Sequence, residues 1–128
     1  MKIAIATKND WSQVSGHAGK ACDWLVFDCQ PGSPLPAPQR VVLSHAQLPH
    51  YFHDDGAHPL RGVEIVVAAS AGDGYIRHMQ SWGAQVLLTG ETEPLTALQK
   101  ILAGEALPDT RFDITTVLCK VRDLFSKH

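Results

Sequence analysis

The sequence predicts one mixed α/β domain in which a five-stranded sheet is flanked by helices. Three observations indicate this class. Five short apolar runs are bounded by turn residues, and two stretches repeat apolar residues at helical spacing. The length of 128 residues with 45% apolar content suits one domain of about 100–200 residues. Alternating strands and helices in the second half favour a parallel pair, whereas three strands with short connections in the first half favour antiparallel neighbours.

The apolar runs predict the strands. The first run (KIAIAT) ends before Asn9 and Asp10, which are typical turn residues. The fourth run is β-branched and nearly all apolar, as expected for a central strand that is covered on both faces. The runs are, in chain order, residues 2–7, 24–27, 40–43, 63–69 and 85–89.

Two helices follow from periodicity and from their end signals. The first carries Tyr75, Ile76, Met79 and Trp82 at helical spacing and ends at Gly83, a residue suited to the position after a helix. The second begins at Thr92, a possible N-cap, with Pro94 in its first turn, and ends at Gly104. Its apolar positions are Leu95, Leu98, Ile101 and Leu102.

The residues after Pro108 show a helical pattern. Their apolar positions recur every three or four residues and predict a helix, although residues 114–117 alone also fit a strand. These positions are Ile114, Val117, Leu118, Val121, Leu124 and Phe125. We therefore expect residues 109–128 to form a helix.

Composition excludes several classes of function. With 11 Lys and Arg against 13 Asp and Glu, the net charge of −2 provides no broad positive field for nucleic acid. No apolar run approaches the roughly 18 residues of a membrane span. The three cysteines are widely spaced and match neither a disulfide framework nor a paired zinc motif. We expect a cytoplasmic protein with free thiols, without a nucleic-acid or membrane partner.

Candidate ligands occur where the first strand ends. His17 and Cys22 are soft donors that suit iron or zinc, but they are five positions apart and would point about 140° away from each other on a regular helix. Shared ligation therefore requires a loop. The alternatives are that His17 is a solvated loop residue and that Cys29, which alternates with Leu25 and Phe27, is a small core residue.

Two further segments are candidates. Residues 45–58 show neither helical nor strand periodicity and carry His50, His53 and His58, which predict metal ligands on a lid, or otherwise a solvated surface loop. Residues 70–74 precede a helix, and the small residues Ser70, Gly72 and Gly74 expose backbone N–H groups that suit an anionic ligand. The alternative for residues 70–74 is a plain tight turn.

Several of these segments together resemble a known family. They appear in the same order as in the dinitrogenase iron–molybdenum cofactor biosynthesis family, the NifX-type domains, and the resemblance covers about residues 1–108. It implies a domain of residues 1–108, with residues 109–128 as a helical extension that packs on it. Within residues 16–22, His17 and Gly19 match the family's His-Phe-Gly motif, in which Ala18 replaces the aromatic residue. The matching segments are residues 1–7, 14–21, 24–28, 56–60, 63–74, 82–86 and 88–92.

The resemblance implies an RNase H-like fold and a non-enzymatic carrier of an iron–sulfur-type cofactor, either a precursor or the finished iron–molybdenum cofactor. It makes His17 the principal cofactor residue, with Gly19 retained from the motif, and implies metallocofactor donor and acceptor proteins as partners. The Cys22 thiol is the expected supporting ligand because of its own chemistry. Two alternatives remain. The loop histidines could hold zinc for a hydrolase, or the domain could bind partner proteins without any cofactor.

Overall fold

The computed structural model describes residues 1–30, 35–48 and 58–102. These residues form six strands, two α-helices and two 3₁₀ turns, Ala18–Lys20 and His45–Gln47. The strands are β1 (Lys2–Lys8), β2 (Gln13–Val14), β3 (Asp23–Asp28), β4 (Gln39–Val42), β5 (Ile65–Ala68) and β6 (Gln85–Leu88). The helices are α1 (Asp73–Ser81) and α2 (Pro94–Leu102).

The strands form one mixed sheet in the order β4-β3-β1-β5-β6, with β2 paired to β1. The pairs β1–β3, β3–β4 and β1–β2 are antiparallel, and β1–β5 and β5–β6 are parallel. The predicted mixed α/β class is confirmed. The name RNase H-like stays an expectation from the resemblance.

The predicted number of five strands is wrong, because β2 adds a sixth. Two residues are too few to show any periodicity, so no local pattern indicates this strand. The turn before it places three consecutive non-glycine residues, Asn9, Asp10 and Trp11, in the left-handed region with φ of 54°, 57° and 70°. The turn reverses the chain so that Val14 pairs with Thr7.

Each face of the sheet packs against one helix. Alternate residues of β1 point to opposite faces: Ala4 and Ala6 join the cluster with α1, and Ile3 and Ile5 join the cluster with α2. Helix α1 contributes Tyr75 and Met79 to the first cluster, whereas α2 contributes Ala97, Leu98 and Ile101 to the second. Burying a large apolar side chain completely stabilises the fold by about 1.5–3 kcal/mol. The two clusters therefore fix both helices on the sheet.

The helix ends agree with the sequence in one case and differ in another. Gly83 follows α1 with φ of +82°, which is the left-handed conformation predicted for a glycine after a helix. In α2, the Ala97 N–H donates to the Glu93 carbonyl (3.0 Å), and Pro94 is the first helical residue. Glu93, rather than the predicted Thr92, therefore stands at the N-cap position.

Some predictions fall outside the described residues. These are His50, His53, the middle of the predicted lid and the extension of residues 109–128. Of the helices that the structure describes, none has the length and apolar character needed to cross a membrane.

Candidate functional site

Residues 14–22, here called the edge segment, lie at the carboxyl edge of the sheet. The Ser15 N–H donates to the Ala6 carbonyl (2.7 Å), and the Ser15 carbonyl accepts from the Ala69 N–H (2.9 Å). Ser15 thus fills the gap where β1 and β5 separate. The Ala18 N–H donates to the Ser70 carbonyl (3.0 Å), and the Val14 N–H donates to the Thr92 carbonyl (2.8 Å). These bonds attach the edge segment to the loops that follow β5 and β6.

His17 is exposed at the centre of this segment. Its backbone is extended (φ −141°, ψ 90°) and its N–H donates to the Ser15 Oγ (3.2 Å). No hydrogen bond from the His17 ring to another described residue is present. The backbone of His17 is therefore fixed at both sides, while its imidazole faces solvent and can offer a nitrogen lone pair to a ligand.

Cys22 lies at the same edge of the sheet. It precedes Asp23, which pairs with Thr7 at the end of β1, and the Cys22 carbonyl accepts from the Leu43 N–H (2.8 Å). The Cys22 thiol is exposed, and its sulfur lies 3.9 Å from the Lys20 carbonyl oxygen. Cys29 differs: it is buried, and burial is the main cause that raises the pKa of its thiol. The interpretation of Cys29 as a core residue is confirmed.

Residues 70–74 connect β5 to α1, and Asp73 and Gly74 already belong to the first turn of the helix. Gly72 stands at the N-cap of α1 without any side-chain cap, so backbone N–H groups of the first turn are available to a ligand. Positions 72 and 74 are open, because a Cβ atom added to either glycine would meet nothing within 4 Å. The structure thus brings Ser70 into contact with the edge segment and places Gly72 and Gly74 on an exposed surface beside it.

His58 lies in a different environment from His17. It is 8% exposed, its Nδ1 accepts from the Leu60 N–H (3.1 Å) and its Nε2 lies 2.7 Å from the Gln47 carbonyl oxygen. Because a backbone N–H can only donate, Nδ1 is the acceptor, and the proton is on Nε2, which donates to Gln47. Both nitrogens of this neutral imidazole are therefore engaged, and a metal would have to displace a backbone bond.

His58 belongs to a group of side chains around Trp82, here called the tryptophan cluster: His58, Arg61, His78 and Trp82. The ring centroids of His58 and His78 lie 5.0 and 4.9 Å from that of Trp82, and the Arg61 guanidinium carbon lies 4.3 Å from the Trp82 ring. A cation over an indole face is favourable. The cluster joins the end of α1 to the chain that enters β5.

Tyr75 connects the two regions. It lines a small cavity with His58, His78 and Trp82, and its Cδ2 lies 3.9 Å from the position of a Cβ added to Gly19. A side chain at position 19 would therefore lie in ordinary van der Waals contact with the Tyr75 ring. The Tyr75 hydroxyl is buried without a hydrogen-bond partner among the described residues, and burial raises the pKa of its phenol well above the usual value.

Not all of the predicted ligands come together. Within residues 1–30, 35–48 and 58–102, no three His, Cys, Asp or Glu side chains are grouped closely enough to hold a metal ion. His17 and Cys22 share the edge of the sheet, whereas His58 lies in the tryptophan cluster.

Sequence reasoning missed Ser15 as a support of the edge segment and the position of Tyr75 near it. Ser15 had a local signal, since a serine two residues before a turn residue can accept a backbone hydrogen bond. Tyr75 was recognised only as an apolar position of the helix, because its position near Gly19 involves residues that are distant in sequence.

Solved structures with the same fold include three relatives at low identity. PH0822 has a TM-score of 0.65 and 24% identity, covering 85% of this chain and 96% of that chain. A candidate dinitrogenase from Methanocaldococcus jannaschii has a TM-score of 0.63 and 10% identity, covering 82% and 90%. A candidate NifB protein from Thermotoga, assigned to the DUF35 family, has a TM-score of 0.57 and 20% identity, covering 88% and 96%. These likenesses establish the fold.

The family is established by sequence. No curated protein matches this chain significantly. The profile of the family described as "Dinitrogenase iron-molybdenum cofactor" matches residues 1–104, most of the chain and all of the described elements. The chain belongs to the dinitrogenase iron–molybdenum cofactor family.

Proposed function

We propose that this protein binds and carries an iron–sulfur-type metal cofactor, either a precursor or the finished iron–molybdenum cofactor. Membership of the family supports a role in cofactor biosynthesis. The observation that carries the proposal is the state of His17: its backbone is fixed by neighbouring bonds, while its imidazole is exposed at the carboxyl edge of the sheet. In open α/β sheets this edge is the usual position of ligands.

His17 acts as the principal ligand in this proposal. A neutral imidazole donates a lone pair to iron, and the exposed Cys22 thiol at the same edge provides a second soft donor. A metal–sulfur cluster carries negative charge, so the free N–H groups at the start of α1 favour its approach. Several residues around this edge have small side chains or none, so a large cofactor can approach the backbone. These residues are Gly19, Ser70, Gly72 and Gly74.

The other histidines have secondary parts or none. His50 and His53 would add ligands from the lid once the cargo is held by His17. His58 is left out of the proposed ligand set, since both of its ring nitrogens bond to backbone groups. Exposed ligands at an open edge suit transfer from a donor protein and to an acceptor protein, and the proposed role is non-catalytic and cytoplasmic.

The test is anaerobic titration of the full chain with ferrous iron and sulfide. Visible charge-transfer absorption and bound iron are measured for wild type, His17→Ala and the matched control His45→Ala. His45 is exposed, as His17 is, and it begins a 3₁₀ turn whereas His17 precedes one. We expect His17→Ala to weaken binding by at least about tenfold, because loss of a ligand costs no less than loss of a group that orients one. His45→Ala should bind as wild type does.

The alternatives give different results in the same experiment. Equal binding by His17→Ala and wild type would contradict the proposed site. Stoichiometric zinc with hydrolytic turnover, in place of iron–sulfur absorption, would indicate the hydrolase. No metal binding at all would indicate an interaction domain.

A further inference from the structure

The α2 side of the sheet carries an apolar groove of about 400 Å³. Leu25 and Phe27 of β3 line it together with Leu35 and with Pro94 and Leu95 at the start of α2. Trp11 closes one side, and Glu93 is the one charged residue among the described lining residues. The groove lies at the opposite face of the sheet from the tryptophan cluster, because Leu25 and Phe27 belong to the cluster that packs against α2.

This face of the sheet is wider than the helix that covers it. Five strands spaced about 4.8 Å apart span about 19 Å between the outer strands, whereas a helix with its side chains is about 10–12 Å across. Leu35 and Leu95 at the groove are 39% and 43% exposed. Val42 of β4 is 63% exposed. Val42 lies on the same face of the sheet as Leu25, because Arg40 pairs with Leu25 and Val42 follows Arg40 by two residues.

The chain contains a segment of suitable chemistry and length. The family match ends at residue 104, and the residues beyond it include the apolar stripe of residues 114–125. As a helix that stripe would be about 18 Å long, close to the length of the six-residue strand β3 at about 20 Å.

The position of the chain after α2 also fits. Helix α2 has nine residues and ends at Leu102, so the groove at Pro94 lies about 13 Å back along its axis. Residues 103–108 span up to about 20 Å when extended, and connections of this length are usual between antiparallel helices.

We propose that residues 109–128 pack in this groove as a helix antiparallel to α2 and complete the second layer of the sheet. The apolar stripe covers the exposed side chains of Leu35 and Leu95 above the buried Leu25 and Phe27, and the polar side of the extension faces solvent. The inference is independent of the proposed cofactor site, which lies at the carboxyl edge of the sheet.

The test uses a nitroxide spin label on Cys119 in the full chain. Cys22→Ser removes the exposed competing thiol, and Cys29 is 2% exposed and does not compete for the label. We expect strong paramagnetic broadening of the Trp11 indole N–H and of the Leu25 and Leu95 amides. The amides of Met79 and Ala84, in the cluster on the opposite face, should stay sharp.

A second variant separates docking from proximity along the chain. Leu95→Asp in the labelled protein should abolish the broadening at Trp11 and Leu25, because it places a charge in the apolar contact. Gln80→Asp, the same charge change at an exposed position of α1, should leave the broadening unchanged.

Three results would overturn the proposal. In the first case the groove signals stay sharp in the labelled chain. In the second case the signals of the α1 face broaden instead. In the third case the broadening would disappear on dilution with unlabelled chain, which would show that a second copy occupies the groove.

Discussion

The edge segment and the tryptophan cluster each hold a histidine, and the two imidazoles are in opposite states. The backbone of His17 is hydrogen-bonded, while its ring is exposed. The ring of His58 is buried, and it links Leu60 to Gln47 through both nitrogens. The first arrangement suits the ligand role proposed for His17, whereas the second uses the imidazole to stabilise the fold.

The difference shows that the hydrogen-bonding state of a histidine decides its chemistry more than its neighbours in sequence do. His58 lies in the His-rich stretch that predicts metal ligands, yet its nitrogens bond to backbone groups. His17 has no other histidine within ten residues, yet it is the exposed ring at the carboxyl edge.

The largest effect on stability is expected from His58→Ala. The change leaves the buried Leu60 N–H and Gln47 carbonyl without their partner and opens space beside Trp82, which together cost about 2–3 kcal/mol of unfolding free energy. His17→Ala should change the unfolding free energy by less than about 0.5 kcal/mol, because exposed substitutions usually do. Urea denaturation of the two variants and wild type measures both values.

The same pair of variants gives the opposite order in the iron and sulfide titration, where His58→Ala should bind as wild type does. If His58→Ala lost cofactor binding while remaining folded, the comparison would fail and His58 would return to the ligand set.

A smaller effect is expected from Tyr75→Phe, between the two regions. Its buried hydroxyl has no partner among the described residues, so removing it should raise the unfolding free energy by about 1 kcal/mol. Thermal denaturation at neutral pH is the measurement. A loss of stability would mean instead that the hydroxyl is satisfied, for example by a bound water.

Tyr75→Phe also changes the alkaline limb of the stability curve. Burial raises the pKa of Tyr75 in the folded state above the unfolded value of about 10. Below pH about 10 the phenol is neutral in both states, and its contribution to the unfolding free energy is fully present. As pH rises from there toward the folded pKa, the phenol ionises only in the unfolded state, so this contribution to stability is lost. Over that range the unfolding free energy of wild type should fall relative to that of Tyr75→Phe. Denaturation of both proteins at several pH values measures this difference.

The smallest effect is expected from Arg61→Ala in the tryptophan cluster. Arg61 is exposed, and its guanidinium lies over the Trp82 ring, a contact worth about 0.5–1 kcal/mol at exposed sites. Arg77→Ala, which removes an exposed arginine of α1, is the matched control. Equal unfolding free energies for the two variants would show that the Trp82 contact contributes nothing.

Local patterns predicted much of the fold. The strand runs place β1, β3, β4, β5 and β6 within two residues of their observed ends, because alternation and β-branched runs are properties of short stretches. Gly83 was predicted at the end of α1 for a conformational reason that no tertiary contact alters. Strand β2 was missed, because only its pairing with Thr7 and Lys8 defines it.

The sequence by itself determined the mixed α/β class, the two amphipathic helices, and His17 and Cys22 as candidate soft ligands. Only the tertiary structure decided which imidazole is exposed and which is bonded. Ser15 reaches Ala6 and Ala69 across the separation of β1 and β5, and His58 reaches Gln47 eleven residues earlier in the chain. The physical reason is that a hydrogen bond depends on distance in space, and the sheet brings together groups that no local pattern of residues connects.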